Sequence, residues 1–425
     1  MERKITEFLI KWKNDPLKKP LLIYGPKQIG KTYTAIDFGE KYYKNIIYFN
    51  TENNKELLEL FKKEKSPERI IMNLAVISGE TILENDSLII LDNVNDVEIV
   101  KEIKLFSGKY SMYHIIMLTS RRDNLLTFKG EELQFKNMFG MDFEEFLWAK
   151  GEKNLAALIR DSFKRRKTCP FHQLALELFE EYMFTGSMPE VIEAFIKNKN
   201  EYKIDSIKQK ILDTYKQELL NNENFINIER SIKVLNSVPS QLKKANKKFQ
   251  YGLIGEGRRA KEFTDSIEYL VNNQVVYRSY KISKAESPLS SCREKESFKL
   301  YLNDIGLLYS MMHLTKKDLL TNEELKKSLY ENFIAKTLAE MSCPLYYYQS
   351  EGKAELSFVI QNRMGKIIPI ELATISNSKA KSLSVFMKKF LCLEAYRITE
   401  NNFQTKKEIR YIPVYAIFCL DEIMN

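Results

Sequence analysis

The sequence predicts an α/β protein in three parts: a parallel sheet wrapped by helices over about 1–150, a helical middle part over 151–297, and a second α/β domain over 298–425. Three observations predict it. Short apolar runs alternate with helical patterns near the amino end, strand character fades after about 150, and it returns beyond a Ser- and Pro-rich loop at 287–297. A length of 425 residues accommodates about two or three domains at roughly 150 residues each.

Ile5, Phe8, Leu9 and Trp12 form one helical stripe, which Pro16 and Pro20 end. The first-domain strands are expected at Leu21 to Tyr24, Ile46 to Phe49, Leu88 to Leu91 and Ile115 to Leu118. Gly186, Pro189 and Pro239 are expected breaks in the helical middle. Beyond it, strands are expected at Phe298 to Leu302, Leu345 to Tyr348, Glu355 to Gln361, Ile367 to Leu372 and Val414 to Leu420, with a helix from Leu329 to Met341.

Composition excludes several classes. With 44% hydrophobic and 29% charged residues, and only 15 Gly and 11 Pro, the chain is neither disordered nor fibrous. Five scattered cysteines without a CxxC pair argue against a disulfide framework or a thiolate zinc site. Three separated histidines give little material for a His-based metal centre or triad. No run approaches the roughly 18 apolar residues of a membrane span, and Met1-Glu2-Arg3-Lys4 does not open a signal peptide, so a cytoplasmic protein without a membrane partner is expected.

Gly25-Pro26-Lys27-Gln28-Ile29-Gly30-Lys31-Thr32 matches G-x-x-x-x-G-K-[ST] between an apolar strand and a helical pattern, with Tyr33 next in line. The glycines let backbone N–H groups turn toward phosphates, the helix start adds its dipole, Lys31 reaches the β- and γ-phosphates, and Thr32 holds Mg2+. ATP and Mg2+ are thus the expected cofactors. The metal also needs an acid at the end of a neighbouring strand, and Ser87-Leu88-Ile89-Ile90-Leu91-Asp92 supplies Asp92. Asn93 follows it. An amide orients water but cannot take its proton, so slow hydrolysis is expected unless an acid such as Asp96 or a partner contributes. Thr119 or Ser120 is placed to sense the γ-phosphate, and Arg121 or Arg122 to act as a finger in trans.

The stretch from Gln241 to Lys261 holds Lys243, Lys244, Lys247, Lys248, Arg258, Arg259 and Lys261 against one acid, Glu256. It fits either phosphates of DNA, with Lys247, Lys248, Arg258 and Arg259 as contacts, or an acidic surface of the same protein. Helix followed by Val275-Val276-Tyr277-Arg278 resembles a winged-helix order, in which the strands form a wing against phosphate.

Taken together, GPKQIGKT at 25–32, LIILDN at 88–93, FEEFL at 143–147, TGSMPEV at 185–191, FKLYLNDIGLL at 298–308, YENFIAKTL at 330–338, ELSFVI at 355–360 and IPIELAT at 368–374 resemble a bacterial and archaeal family of AAA-like ATPases. The resemblance implies a P-loop nucleotide domain joined to a C-terminal domain similar to PD-(D/E)xK restriction nucleases. It implies ATP binding, with DNA, a protein partner or self-association as further associations. The family usually has Asp-Glu where Asp92-Asn93 stands, and an Arg where Lys27 stands.

A nuclease core of that kind needs a helix glutamate, a strand aspartate and a Glu-x-Lys pair, to hold Mg2+ and steady the attacking hydroxide. Glu331 and Glu371 match the first and third, whereas Ser357 and Ala373 stand at the aspartate and lysine places. Glu355 shares the strand face of Ser357 but is displaced by about 6.6 Å. Replacement of the missing cation by Lys353 or Lys366 is conceivable. The expectation is a retained fold with a degenerate site, against a slow ATPase, a non-catalytic scaffold or a metal-dependent nuclease as activities of the whole chain.

Overall fold

A computed structural model describes residues 1–424 except 53, 122–131, 221–226, 256, 258, 316–317, 319–320, 351–354 and 374–379. Arg122, Glu256, Arg258 and Lys353 lie outside the described residues. The chain forms two compact units, Met1–Gly140 and Met141–Asn425.

In the first unit, strands β1 (Leu21–Tyr24), β2 (Asn45–Asn50), β3 (Ser87–Asp92), β4 (His114–Thr119) and β5 (Gln134–Asn137) pair in the order β2-β3-β4-β1-β5, all parallel. The runs LIILD and HIIMLT are buried at every position, as interior parallel strands covered on both faces must be. At the edge, β5 reads Gln-Phe-Lys-Asn with Phe135 exposed, so it carried no apolar run to announce it. A core of Leu22, Ile47, Leu57, Phe61, Ile70, Leu74, Ile89, Leu91 and Ile115, with their neighbours, fills one face. The parallel arrangement brings the carboxyl ends of the strands to one edge, with Asn50 beside Asp92 and Tyr24 beside Thr119. Ligands of open α/β sheets bind at that edge.

The second unit holds one eight-stranded mixed sheet. Strands β6 (Val276–Ile282), β7 (Arg293–Leu302), β8 (Leu345–Gln349), β9 (Glu355–Gln361), β10 (Ile367–Leu372), β11 (Ala395–Thr399), β12 (Gln404–Lys406) and β13 (Ile409–Pro413) run in the order β12-β13-β11-β10-β9-β8-β6-β7. The sheet crosses the expected boundary at 297, because β7 begins at Arg293 and β6 is already part of it. This corrects the winged-helix reading: β6 is parallel to β8 on one side and antiparallel to β7 on the other, an interior strand rather than a free wing.

Val414–Leu420, expected as a strand, is a 3-10 helix buried at all seven positions. An unbroken apolar run has no periodicity to separate the two conformations. Pro239, expected as a break, instead lies inside the helix Ile228–Leu242, in its last turn, where it cannot donate to the Leu235 carbonyl and the helix ends three residues later.

Two of the sequence segments form a buried clamp. Asp304 is fully buried; its Oδ2 accepts from the Ser187 N–H at 2.5 Å and the Ser187 hydroxyl at 2.6 Å, and its Oδ1 accepts from the Leu307 N–H at 2.6 Å. Gly186 takes φ 79, and a Cβ there would stand 2.5 Å from Asp304 Oδ1, which leaves glycine as the residue that fits. TGSMP and DIGLL are therefore explained by folding rather than by chemistry on a ligand.

Candidate nucleotide-binding site

The loop from Gly25 to Gly30 joins β1 to the helix Lys31–Tyr42. Gly30 caps that helix at φ 87, and Gln28 takes φ 65. These left-handed turns curl the main chain around the helix start, whose unsatisfied N–H groups and dipole favour an anion. The Gly25 N–H donates to the Thr119 carbonyl at 3.2 Å, tying the loop's entrance to the end of β4. Buried Arg3 donates to the Ile29 carbonyl at 2.8 Å and the Phe139 carbonyl at 2.6 Å, which fixes the loop's far side.

The Lys31 ammonium donates to the Gly25 and Pro26 carbonyls at 2.8 and 2.7 Å, so it lies across the loop it belongs to. The Thr32 hydroxyl donates to Asp92 Oδ2 at 2.6 Å, bringing together two residues that stand sixty positions apart. Asp92 is buried, and its Oδ1 accepts from the Asn93 N–H at 2.8 Å. Asn93 itself takes φ 58; its amide donates to Asn50 Oδ1 at 3.1 Å, and its carbonyl accepts from the Thr51 hydroxyl at 2.9 Å. Asp96, considered as a replacement acid, caps the helix Val97–Ile103 through the Glu98 N–H at 2.8 Å.

Thr119 is buried at the end of β4, where its hydroxyl bonds the Arg121 backbone and lies 3.4 Å from Asn95 Oδ1. Lys27 is half-buried in the loop. Tyr33 is exposed on the first turn of the helix, and its hydroxyl accepts from the chain's amino group at 3.4 Å.

Tyr48, Asn50, Asn95 and Arg3 were not anticipated. Tyr48 donates to Asp92 Oδ2 at 3.0 Å. The side chain is exposed, but loss of hydration where its hydroxyl meets the site, together with the Asp92 charge, pushes that hydroxyl up to about 12, so it remains a neutral donor. Tyr48 and Asn50 stand two apart at the carboxyl end of a strand, hence on one face. That spacing was a readable signal.

The residues fit a divalent ion. Thr32 Oγ1 and Asp92 Oδ2 are hard oxygens side by side, next to an ammonium and a helix start suited to phosphates. The groups on Asp92 are hydroxyl and backbone N–H donors, which leave its charge uncancelled.

The expected nuclease-like positions are arranged otherwise. Glu331 is buried; its Oε2 accepts from Lys247 Nζ at 2.6 Å, and its Oε1 accepts from Tyr301 OH at 2.6 Å and Lys299 Nζ at 3.1 Å. Lys299, also buried, reaches Glu355 Oε1 at 3.0 Å. Burial opposes the charge on Glu331, but the Lys247 and Lys299 ammonium groups outweigh it and hold the carboxyl well below the usual range. Glu371 Oε2 lies 2.9 Å from Arg397 Nε, and burial raises its carboxyl despite that partner. Ser357 is half-buried in β9, and the Ala373 N–H donates to the Ile398 carbonyl just past β10. No three His, Cys, Asp or Glu side chains come together to hold a metal among the described residues.

Lys247, expected as a DNA contact, is corrected by its ion pair: its ammonium is spent on Glu331 inside the unit. Lys248 and Arg259 are exposed. Lys366, considered as a replacement cation, pairs with Glu394 at 2.7 Å. No helix among the described residues is long and apolar enough to cross a membrane.

Comparison with known proteins gives the class of the first unit. Residues 17–147 match an AAA domain family model. Residues 176–318 and 326–417 match two domains of unknown function, DUF8612 and DUF4143. No curated protein matches. Among solved structures, the chain is similar to a Walker-type ATPase of Pyrococcus abyssi, with 11% identity, a TM-score of 0.44, and coverage of 73% of this chain and 95% of that one. It is similar to a signal-transduction ATPase with a tetratricopeptide repeat sensor from Pyrococcus horikoshii, with 16% identity, a TM-score of 0.30, and coverage of 80% and 45%. The RuvB Holliday junction branch migration motor of Thermotoga maritima shares 10% identity at a TM-score of 0.28, with coverage of 68% and 90%. These likenesses are too distant to bear on activity.

The first unit is thus an AAA-like P-loop NTPase fold, and uncharacterised domains follow it. A mixed sheet with helices makes up the second unit, and the two families matched there are domains of unknown function.

Proposed function

We propose that this chain binds ATP with Mg2+ at Gly25–Thr32 and hydrolyses it slowly. The observation that carries the proposal is the 2.6 Å bond between Thr32 and Asp92 beside Lys31, in a left-handed loop at a helix start. Backbone N–H groups of the loop cradle the phosphates, Lys31 moves from its own carbonyls to the β- and γ-oxygens, and Thr32 and Asp92 hold the ion. Bound Mg2+ supplies neutralisation of phosphate charge. Asn93, committed to Asn50, aims water without accepting its proton, so turnover is slow.

Phosphate release from ATP with Mg2+, measured with and without DNA, tests this reading. Slow release that disappears in Asp92→Ala supports it. Release unaffected by Asp92→Ala contradicts it, and tight binding with no release at all points to a non-catalytic nucleotide-dependent scaffold.

A nucleic-acid surface is favoured by a separate observation. Lys243, Lys244, Lys248, Arg259 and Lys261 are exposed, and the one carboxylate met among the described residues, Glu262, is held by the Arg259 backbone N–H at 3.0 Å. Neutralising Lys244, Lys248, Arg259 and Lys261 together should flatten the salt dependence of DNA binding by about three to four units of log–log slope. An unchanged slope would remove the surface.

The second unit contributes no metal chemistry in this reading. The helix Glu323–Glu340, β8, β9, β10, the helix Lys381–Phe390 and β11 follow in an order that supports a nuclease-like frame, with ammonium groups standing among its carboxylates.

A further inference from the structure

The Asp92 carboxylate is gripped from two elements at once. Thr32, in the first turn of the phosphate-loop helix, and Tyr48, near the end of β2, both donate to Oδ2, at 2.6 and 3.0 Å. The Asn93 N–H holds Oδ1 at 2.8 Å. Thr32 has a double duty in the proposed site, because its oxygen must turn a lone pair to the metal while its proton stays on Asp92. Its bond alone cannot fix the carboxylate's rotation, since a hydroxyl swings about its C–O axis. A second donor approaching from a different strand can.

Tyr48 supplies that donor from a phenol ring with few rotatable bonds, anchored in a strand registered against β3 over six residue pairs. It brings no positive charge, so the carboxylate keeps its full charge for a cation. Lysine or arginine at this position would aim Asp92 equally well and would cancel it.

We propose that Tyr48 is a positioning residue for the divalent ion of the nucleotide site, acting through Asp92 and not through the nucleotide itself. This rests on the ATP–Mg2+ reading above. It deepens that reading by separating two affinities: Tyr48 governs how tightly the metal is held, while the phosphate loop governs the nucleotide.

The test uses the full chain and a fluorescent ATP analogue, titrated first in EDTA and then with rising Mg2+ at fixed analogue. In Tyr48→Phe, the EDTA affinity should stay within about twofold of wild type, and the Mg2+ concentration at half effect should rise about tenfold, the size of one hydrogen bond to a charged group. Combining it with Thr32→Val, which removes the other hydroxyl, should give a shift that departs from the sum of the two, because both hydroxyls meet one oxygen, and simple additivity would count against the proposal. An Mg2+ midpoint that is unchanged or lowered in Tyr48→Phe overturns the proposal and leaves the ATP reading standing. A wild-type chain that binds the analogue under neither condition overturns both. Equal weakening in EDTA and in Mg2+ also overturns it, since it would mark Tyr48 as a support of the loop.

Discussion

Asp92 and Glu331 are both buried carboxylates placed by a strand or helix at positions that the sequence marked for metal chemistry, and the molecule treats them in opposite ways. Asp92 is surrounded by two hydroxyl donors and one backbone N–H. Glu331 receives two ammonium groups and a phenol, and one of those ammoniums goes on to Glu355. Donors without charge aim a carboxylate and leave its attraction for a cation intact. Ammonium groups satisfy that attraction from within. An acidic residue in a recognisable motif therefore says less about chemistry than the charge of the groups that meet it.

The largest effect separating the two should come from Glu331→Gln. Leaving Lys247 and Lys299 without their shared carboxylate should cost about 3–5 kcal/mol of stability in denaturant unfolding of the second unit, with ATP binding unchanged. A loss below 1 kcal/mol would show that the ion cluster does not clamp the core as described.

The same cluster predicts the acid limb of stability. The folded carboxyl of Glu331 titrates below its ordinary value of 4.5, so its contribution is complete above that pH and is lost as the pH falls toward the folded value. Wild type should lose about 1.4 kcal/mol per pH unit through this one group, and Glu331→Gln should lack that component. Parallel acid limbs in the two proteins would contradict the assignment.

Smaller still should be Asp92→Asn. It removes no ion pair, so folding of the first unit should change by about 1 kcal/mol. Its effect belongs to Mg2+-dependent ATP binding, which should weaken while the fold persists. Global unfolding on this substitution would mean that Asp92 is structural in the way Glu331 is.

The phosphate loop was legible because Gly25, Gly30, Lys31 and Thr32 fall at a fixed spacing within eight contiguous residues. Asp92 was legible because an apolar strand ending in an acid is also a local pattern. Arg3 and the Lys247–Glu331–Lys299 cluster come together only through tertiary pairing, and no spacing in the sequence announces them; Tyr48 had only its spacing of two from Asn50 at a strand end to mark it. Lys247 shows the cost: inside a basic run it read as a solvent-facing cation, but the alternation of exposed Lys248 and buried Phe249 around it marks a segment turned partly inward. The strands β11 and β13 escaped notice for a related reason. Arg397 is buried in one and Arg410 half-buried in the other, so charge masked their strand character.

Thermal unfolding with and without ATP and Mg2+, in wild type and in Lys31→Ala, tests the central claim most directly. At nucleotide about 100-fold above its dissociation constant, wild type should gain about 2.7 kcal/mol and Lys31→Ala should gain almost nothing. An equal gain in both proteins, or none in wild type, would contradict the assignment of Gly25–Thr32 as the phosphate site.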